Sequence, residues 1–337
     1  MATYQCGVIK EAGGKFELEE REIPTPKPGE VLIKVAACGV CHSDTFVQYG
    51  DYPGLTLPRV PGHEVIGTVA AVGDGVEWPK LDMLVGVGWH GSHCLFCENC
   101  RRGDFMMCKN EQVAGIHYDG GYGEYMVAPW TAIAEVPENI DPVEAAPFMC
   151  AGITVFNSMR HQGLIPGDLV AVQGIGGLGH LGIQFAKKMG MRVAAISTSD
   201  RKKELATKLG ADYYIDTSKD PASKQLQAMG GAKLVLATAP NAKSMGDLVN
   251  ALGSNGKLLV VGADADTFEI SPFQIIPNRG CVCGWPCGIA TDSTDTLIFA
   301  KDQGIECMNE VFTLDQVQEA YDRMMSGDAR FRVVIKM

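Results

Sequence analysis

Leu169-Val170-Ala171-Val172-Gln173-Gly174-Ile175-Gly176-Gly177-Leu178-Gly179 opens as a short apolar strand and runs directly into glycines spaced G-x-G-x-x-G. Beyond them, Leu178, Leu181, Phe185, Ala186 and Met189 recur at helical spacing until Gly190 stops the pattern. Strand, glycine turn and helix in that order form a dinucleotide cradle. The first glycine allows the tight turn, the second lets a pyrophosphate approach the backbone, and the third lets helix and strand pack closely. The helix N-terminus then faces the phosphates.

The end of the next strand selects the coenzyme. An enzyme that takes NAD usually carries Asp or Glu there, about 20 residues on, to bond the ribose 2′-hydroxyl. This chain reads Ile196-Ser197-Thr198-Ser199-Asp200-Arg201-Lys202-Lys203. Ser197 stands in place of the acid, and hydroxyls and cations follow. Small donors and cations suit a 2′-phosphate, which a carboxylate would repel. NADP(H) is therefore expected over NAD(H), against the plainer reading in which Asp200 caps a helix and the cations face solvent.

Around this motif, strands alternate with helices. Strands are expected at Arg192–Thr198, Asp212–Asp216, Lys233–Ala239 and Lys257–Gly262, with helices over Arg201–Leu209 and Ser244–Leu252. Such alternation implies βαβ crossovers and a parallel sheet. The first third differs: Val31–Val35 and Val65–Val72 are β-rich runs bounded by Pro or Gly. The tail returns to helices at Thr294–Lys301 and Leu314–Met325 and a strand at Arg332–Ile335. A β-rich domain interrupted by an inserted α/β domain is the layout expected of 337 residues.

Composition narrows the function classes. With 29 basic and 40 acidic residues the formal charge is −11, which argues against a grip on nucleic acid or anionic lipid. No run approaches the roughly eighteen apolar residues of a membrane span, and the N-terminus lacks a signal-peptide pattern. A cytoplasmic protein is expected. Twelve cysteines without an export signal point to metal ligands and reduced core thiols rather than disulfides.

Four of these thiols carry the sharpest spacing in the chain. Cys94, Cys97, Cys100 and Cys108 fall at C-x2-C-x2-C-x7-C, which suits a closed tetrahedral zinc site that folds a loop and does no chemistry. A reactive dithiol and an iron–sulfur cluster are the competing readings; a nucleic-acid zinc ribbon also uses short Cys spacing, but this lobe sits in an acidic protein without basic-aromatic patterning. A second set is scattered over Cys41-His42-Ser43-Asp44, Gly62-His63-Glu64 and Cys150, and spacing alone does not join these places. Cys6, Cys38, Cys281, Cys283, Cys287 and Cys307 read as reduced structural residues.

Taken together, Gly39-Val40-Cys41-His42-Ser43-Asp44, Pro61-Gly62-His63-Glu64, the four-cysteine lobe, Ala145-Ala146-Pro147-Phe148-Met149-Cys150-Ala151-Gly152-Ile153-Thr154 and the glycine turn resemble the zinc-dependent medium-chain alcohol dehydrogenases over essentially the whole length. The resemblance implies an α/β fold: a GroES-like β-rich catalytic domain (1–149 and 287–337, structural-zinc lobe 92–110) with an inserted Rossmann doubly wound parallel sheet (150–286). It implies a catalytic zinc on Cys41, His63 and Cys150, an open Cys2His site of the kind alcohol dehydrogenase exemplifies. Glu64 would stand behind the metal, Asp44 would fix the His63 imidazole, and Ser43 would pass the alcohol proton toward the coenzyme ribose.

Coenzyme binding would fall, by the same resemblance, to His42, Gly174, Gly176, Gly177, Leu178, Gly179, Ser197, Thr198, Ser199, Lys202 and Arg332, the last at the pyrophosphate. Phe46, Tyr52 and Trp89 would narrow the substrate pocket, with Trp285 near the nicotinamide side. Phe46 departs from the family, many of whose members carry a proton-relay histidine there. The expected protein is a zinc-dependent alcohol dehydrogenase or aldehyde reductase acting on small primary alcohols or aldehydes with NADP(H), as a homodimer or homotetramer. The competing expectations are an NAD-dependent ethanol-type enzyme and, in another class, a catalytically silent zinc-binding protein on the same fold.

Overall fold

The computed structural model describes residues 2–263 and 265–337. The chain forms two compact units, one of Met1–Ile153 with Gly288–Met337 and one of Thr154–Cys287. In chain order the strands are β1 (Thr3–Ile9), β2 (Phe16–Glu22), β3 (Glu30–Val40), β4 (Val65–Val72), β5 (Leu84–Val87), β6 (His90–Ser92), β7 (Gln112–Val113), β8 (Tyr125–Pro129) and β9 (Ile133–Glu135). The second unit holds β10 (Leu169–Gln173), β11 (Arg192–Ser197), β12 (Tyr213–Asp216), β13 (Ala232–Ala237), β14 (Leu252–Val260) and β15 (Cys281–Gly284). The first unit resumes with β16 (Asn309–Thr313) and β17 (Arg332–Lys336).

The first unit is built on a seven-stranded sheet in the order β16-β17-β3-β4-β5-β9, with β8 also paired to β3. The returning strand β17 lies antiparallel on β3, setting Val333 opposite Val40. The last strand therefore meets the end of β3 from which Cys41 emerges. Val31, Ile33, Val35, Val65, Val69, Val85, Val333 and Ile335 are buried within one apolar cluster. Alternating or near-continuous Val and Ile on paired strands is the pattern that fills such a core.

In the second unit six parallel strands run in the order β12-β11-β10-β13-β14-β15. The chain moves outward from β10 to β12 and then returns to β13 on the other side. The strand order thus reverses beside β10, where open α/β sheets bind their ligands. All five residues of β10 are buried, and the helix that follows, Gly179–Lys188, turns Leu181, Ile183, Phe185 and Ala186 inward.

The largest departure from the sequence reading lies between β13 and β14. The helix expected over Ser244–Leu252 spans Ala242–Leu248 with a 3-10 turn at Val249–Ala251, and β14 already begins at Leu252. The cause is an irregularity: the pairing of β13 with β14 jumps from Ala232–Leu252 to Leu234–Lys257. Asn255, at φ 56°, lies in that excursion. An apolar count does not register a strand that is interrupted in this way.

Candidate active site

Cys41 follows the last residue of β3, His63 and Glu64 lead into β4, and Cys150 follows the 3-10 turn Ala146–Met149. One atom from each of Cys41, His63, Glu64 and Cys150 lies within 4.8 Å of the others. The three scattered places of the sequence are thus one site. Close backbone approach is part of it. A Cβ on Gly39 would fall 1.9 Å from Glu64 Oε2, and one on Gly88 would fall 2.7 Å from the Met149 carbonyl, so both positions exclude a side chain.

The donor set fits a zinc ion. The Cys41 and Cys150 sulfurs are 3.8 Å apart, too far for a disulfide at about 2.05 Å. The separation matches the roughly 3.8 Å between two thiolates each about 2.3 Å from one tetrahedral centre. His63 Nε2 is buried without a hydrogen-bond partner. A buried imidazole nitrogen needs a partner, and a cation shared with the two neighbouring sulfurs would supply it.

Behind the imidazole, Asp44 Oδ1 lies 3.2 Å from His63 Nδ1, which fixes the tautomer that presents Nε2. Its other oxygen, Oδ2, accepts the Cys41 backbone N–H at 2.9 Å and the Tyr122 hydroxyl at 2.6 Å. Arg332 donates through Nη2 to Glu64 Oε1 and to the Val40 carbonyl. Asp44, His63, Glu64 and Arg332 are all buried.

These contacts set the protonation of the metal-free chain. The hydrogen bond from Cys150, then the nearby His63 charge, holds the Cys41 thiol well below its ordinary range despite burial. Burial pushes the His63 imidazole down, but the charges of Asp44 and Cys41 lift it well above its usual value. Burial raises Glu64 to about 7 against the pull of Arg332. A metal entering here displaces protons.

The four-cysteine lobe also converges. Cys94, Cys97, Cys100 and Cys108 place their sulfurs within 4.8 Å of one another, with Cys97 and Cys108 3.9 Å apart. Backbone N–H groups point at the sulfurs: Cys97 donates to Cys94, and Cys94 and Asn110 donate to Cys108, each at 3.3 Å. Burial opposes ionisation of Cys94, but Asn110 and the Phe96 and Cys97 amides bring it down to about 6. Cys100 is pushed up to about 12 by burial and its neighbouring thiols. Gly103, at φ 83°, turns the loop.

Phe46, Tyr52 and Trp89 form an edge-to-face cluster with centroids 5.3 to 6.4 Å apart, and Trp89 meets the His63 ring at 5.0 Å. Ser43 is half-buried and His42 exposed in the 3-10 turn His42–Asp44. Trp285, in the second unit, stacks on His161 at 4.7 Å.

At the glycine turn, Gly174 has φ +88° and a Cβ on Gly179 would stand 1.9 Å from the Gly174 carbonyl, whereas Gly176 faces open space. Ser197 ends β11. Lys202 donates to the Ile175 carbonyl at 2.7 Å, tying the segment after β11 to the turn. Asp216, opposite Ser197 on β12, accepts from the Ser218 amide and hydroxyl and pairs with Lys219.

Sequence reading did not single out Tyr122 or the Glu64–Arg332 pair. Arg332, expected at the coenzyme pyrophosphate, is placed behind the Cys41, His63 and Cys150 cluster. Its sequence signal was a match to a C-terminal family arginine, with a solvated strand charge as the alternative; neither pointed to Glu64.

Residues 27–138 match the family model described as alcohol dehydrogenase GroES-like domain, and residues 177–321 match that of zinc-binding dehydrogenase. The chain is 46% identical over 336 residues to alcohol dehydrogenase patD of Penicillium expansum, covering 100% of this chain and 98% of that one. Among solved structures it resembles a cinnamyl alcohol dehydrogenase of Sorghum bicolor, SbCAD4, with TM-score 0.89, 32% identity and coverage of 99% and 98%. It also resembles CAD from Helicobacter pylori complexed with NADP(H), with TM-score 0.88, 26% identity and coverage of 99% and 98%.

Proposed function

Because the chain belongs to the zinc-dependent medium-chain alcohol dehydrogenases, we propose that it interconverts primary alcohols and aldehydes, aryl ones included, with NADP(H) as the coenzyme. The observation that carries the reading is the convergence of Cys41, His63 and Cys150 around a buried imidazole nitrogen that has no protein partner.

Those three residues would hold the catalytic zinc, and Cys94, Cys97, Cys100 and Cys108 a structural one. Zinc supplies Lewis-acid activation of the substrate oxygen, and the nicotinamide gives or takes the hydride. The chain's own side chains do the rest. Asp44 fixes the His63 ring, so that its remaining nitrogen points inward. The buried Arg332 guanidinium holds Glu64 in place. Ser43 would accept the alcohol proton and hand it on; Phe46 has no ionisable atom to receive it, so the proton would leave to water. The rings of Phe46, Tyr52 and Trp89 wall the substrate side, which suits flat or unbranched substrates over branched ones.

The coenzyme assignment rests on Ser197 in place of an acid and on Lys202 at the turn. NAD(H) is the second reading, favoured by the engagement of Lys202 with the Ile175 carbonyl, which leaves fewer of its protons for a 2′-phosphate. The twelve thiols, among them both metal-ligating sets, suit a reducing compartment such as the cytoplasm. Among the described residues no helix is long and apolar enough to cross a membrane. The open edge at β15 offers a surface for a homodimer or homotetramer.

A panel of alcohols and aldehydes assayed with NADPH and NADH tests the proposal. We expect kcat/KM to be at least about tenfold higher with NADPH, and Ser197→Asp to reverse the preference by repelling the 2′-phosphate. Higher kcat/KM with NADH in the unmodified enzyme would contradict the coenzyme assignment.

A further inference from the structure

Tyr122 belongs to none of the motifs that identify the site, yet it touches two of the three segments that would carry the ligands Cys41, His63 and Cys150. It is fully buried. Its segment runs alongside the one that precedes His63: the amides of Gly120, Gly121 and Tyr122 donate to the carbonyls of Val60, Gly62 and Pro61 at 2.7, 2.9 and 3.0 Å. The ring then lies on Gly62, whose φ is +102° and where a Cβ would fall 2.6 Å from Tyr122 Cδ1. Gly62 immediately precedes His63, so the ring sets the path of the backbone into that residue. The hydroxyl reaches the other segment, donating to Asp44 Oδ2 at 2.6 Å.

That oxygen also accepts the Cys41 amide, while its twin faces His63 Nδ1. A buried carboxylate with four lone pairs to satisfy stays in one rotamer only while its donors are in place. Removing the phenol oxygen leaves Oδ2 with the Cys41 amide alone, and frees Asp44 to turn away from His63. Burial and the Asp44 charge hold the phenol protonated, so it remains a donor.

We infer that Tyr122 is a positioning residue for the catalytic metal: it clamps the Cys41 and Pro61-Gly62-His63 segments together and holds Asp44 against His63. The inference rests on the zinc reading above. Loss of such outer partners typically weakens metal affinity by about 10–100-fold.

Zinc-loaded protein is challenged with a chelator and iodoacetamide, and the alkylated cysteines are identified by peptide mass spectrometry. Tyr122→Phe keeps the ring and removes one oxygen. Tyr118→Phe is the control, since its hydroxyl donates to the Gly91 carbonyl at 2.9 Å and not to Asp44. We expect Cys41 and Cys150 to be alkylated about tenfold faster in Tyr122→Phe than in wild type or Tyr118→Phe, with Cys94, Cys97, Cys100 and Cys108 unchanged. Wild-type rates at Cys41 and Cys150 in Tyr122→Phe would overturn the inference. Equal acceleration at both cysteine sets would also overturn it, by showing a general loosening of the fold. If chelator has no effect on Cys41 and Cys150 in wild type, the metal centre itself fails and the inference with it.

Discussion

The rings of His90 and His93 stack with centroids 5.2 Å apart, and His93 stacks on Phe105 at 4.3 Å. Burial, then the neighbouring His93, lowers the His90 pKa to about 4. An unfolded chain takes up this proton near pH 6.5, whereas the folded one refuses it down to about 4. His90 therefore contributes stability above pH 6.5 that is lost as pH falls toward 4, by at most about 3 kcal/mol. His90→Phe should lose correspondingly less stability than wild type between pH 7 and 4.5 in denaturant titrations. Parallel curves would contradict the assignment. No motif pointed to His90, because a histidine in a three-residue strand carries no periodic signal. At Cys41, His63 and Cys150 the side chains were legible as ligand types through the family motifs. Their adjacency followed only from that resemblance and not from spacing, since it depends on β3 pairing with β4 and on the Met149 carbonyl reaching Gly88. Ser197 and Lys202 were read as a coenzyme signature, and the bond from Lys202 to Ile175 joins two segments that only the folded sheet brings together.

Elements were more legible than contacts. Leu169–Gln173 and Val65–Val72 read directly as strands because apolar, β-branched residues sit between turn-forming ones. The sequence reading assigned each glycine of the turn a role, and the structure bears on two of them. Gly179 is required for packing, because a Cβ there meets the Gly174 carbonyl at 1.9 Å. A Cβ on Gly176 would meet nothing within 4 Å, so protein packing does not require glycine there, and the proposed coenzyme site would. Gly176→Ala should leave the melting temperature within about a degree or two of wild type while weakening NADPH at least about tenfold in fluorescence titration. Gly179→Ala should lower both. Unchanged NADPH affinity in Gly176→Ala would remove the turn from the coenzyme site. The excursion in β14 was illegible for the opposite reason: Gly253-Ser254-Asn255-Gly256 reads as a turn between elements, and only pairing with β13 on both sides of it shows that one strand continues through.

At the scale of the molecule, the two textures of the sequence correspond to two kinds of sheet, a seven-stranded one that is largely antiparallel and a six-stranded parallel one. The tail strand β17 pairs with β3, so Arg332 reaches Glu64 across 268 residues of sequence. That closure explains why one ion pair behind Cys41, His63 and Cys150 was invisible to local reading. A chain that carries −11 charges, two converging ligand sets and a glycine turn at a strand-order reversal is equipped for hydride chemistry on small molecules. All of it depends on an ion bound between residues 41, 63 and 150. An anomalous difference map from crystals of the purified protein, collected at the zinc edge, addresses that directly. It should show two peaks per chain, one about 2.0–2.3 Å from Cys41 Sγ, His63 Nε2 and Cys150 Sγ, and one amid the four-cysteine lobe. A single peak confined to that lobe would contradict the account.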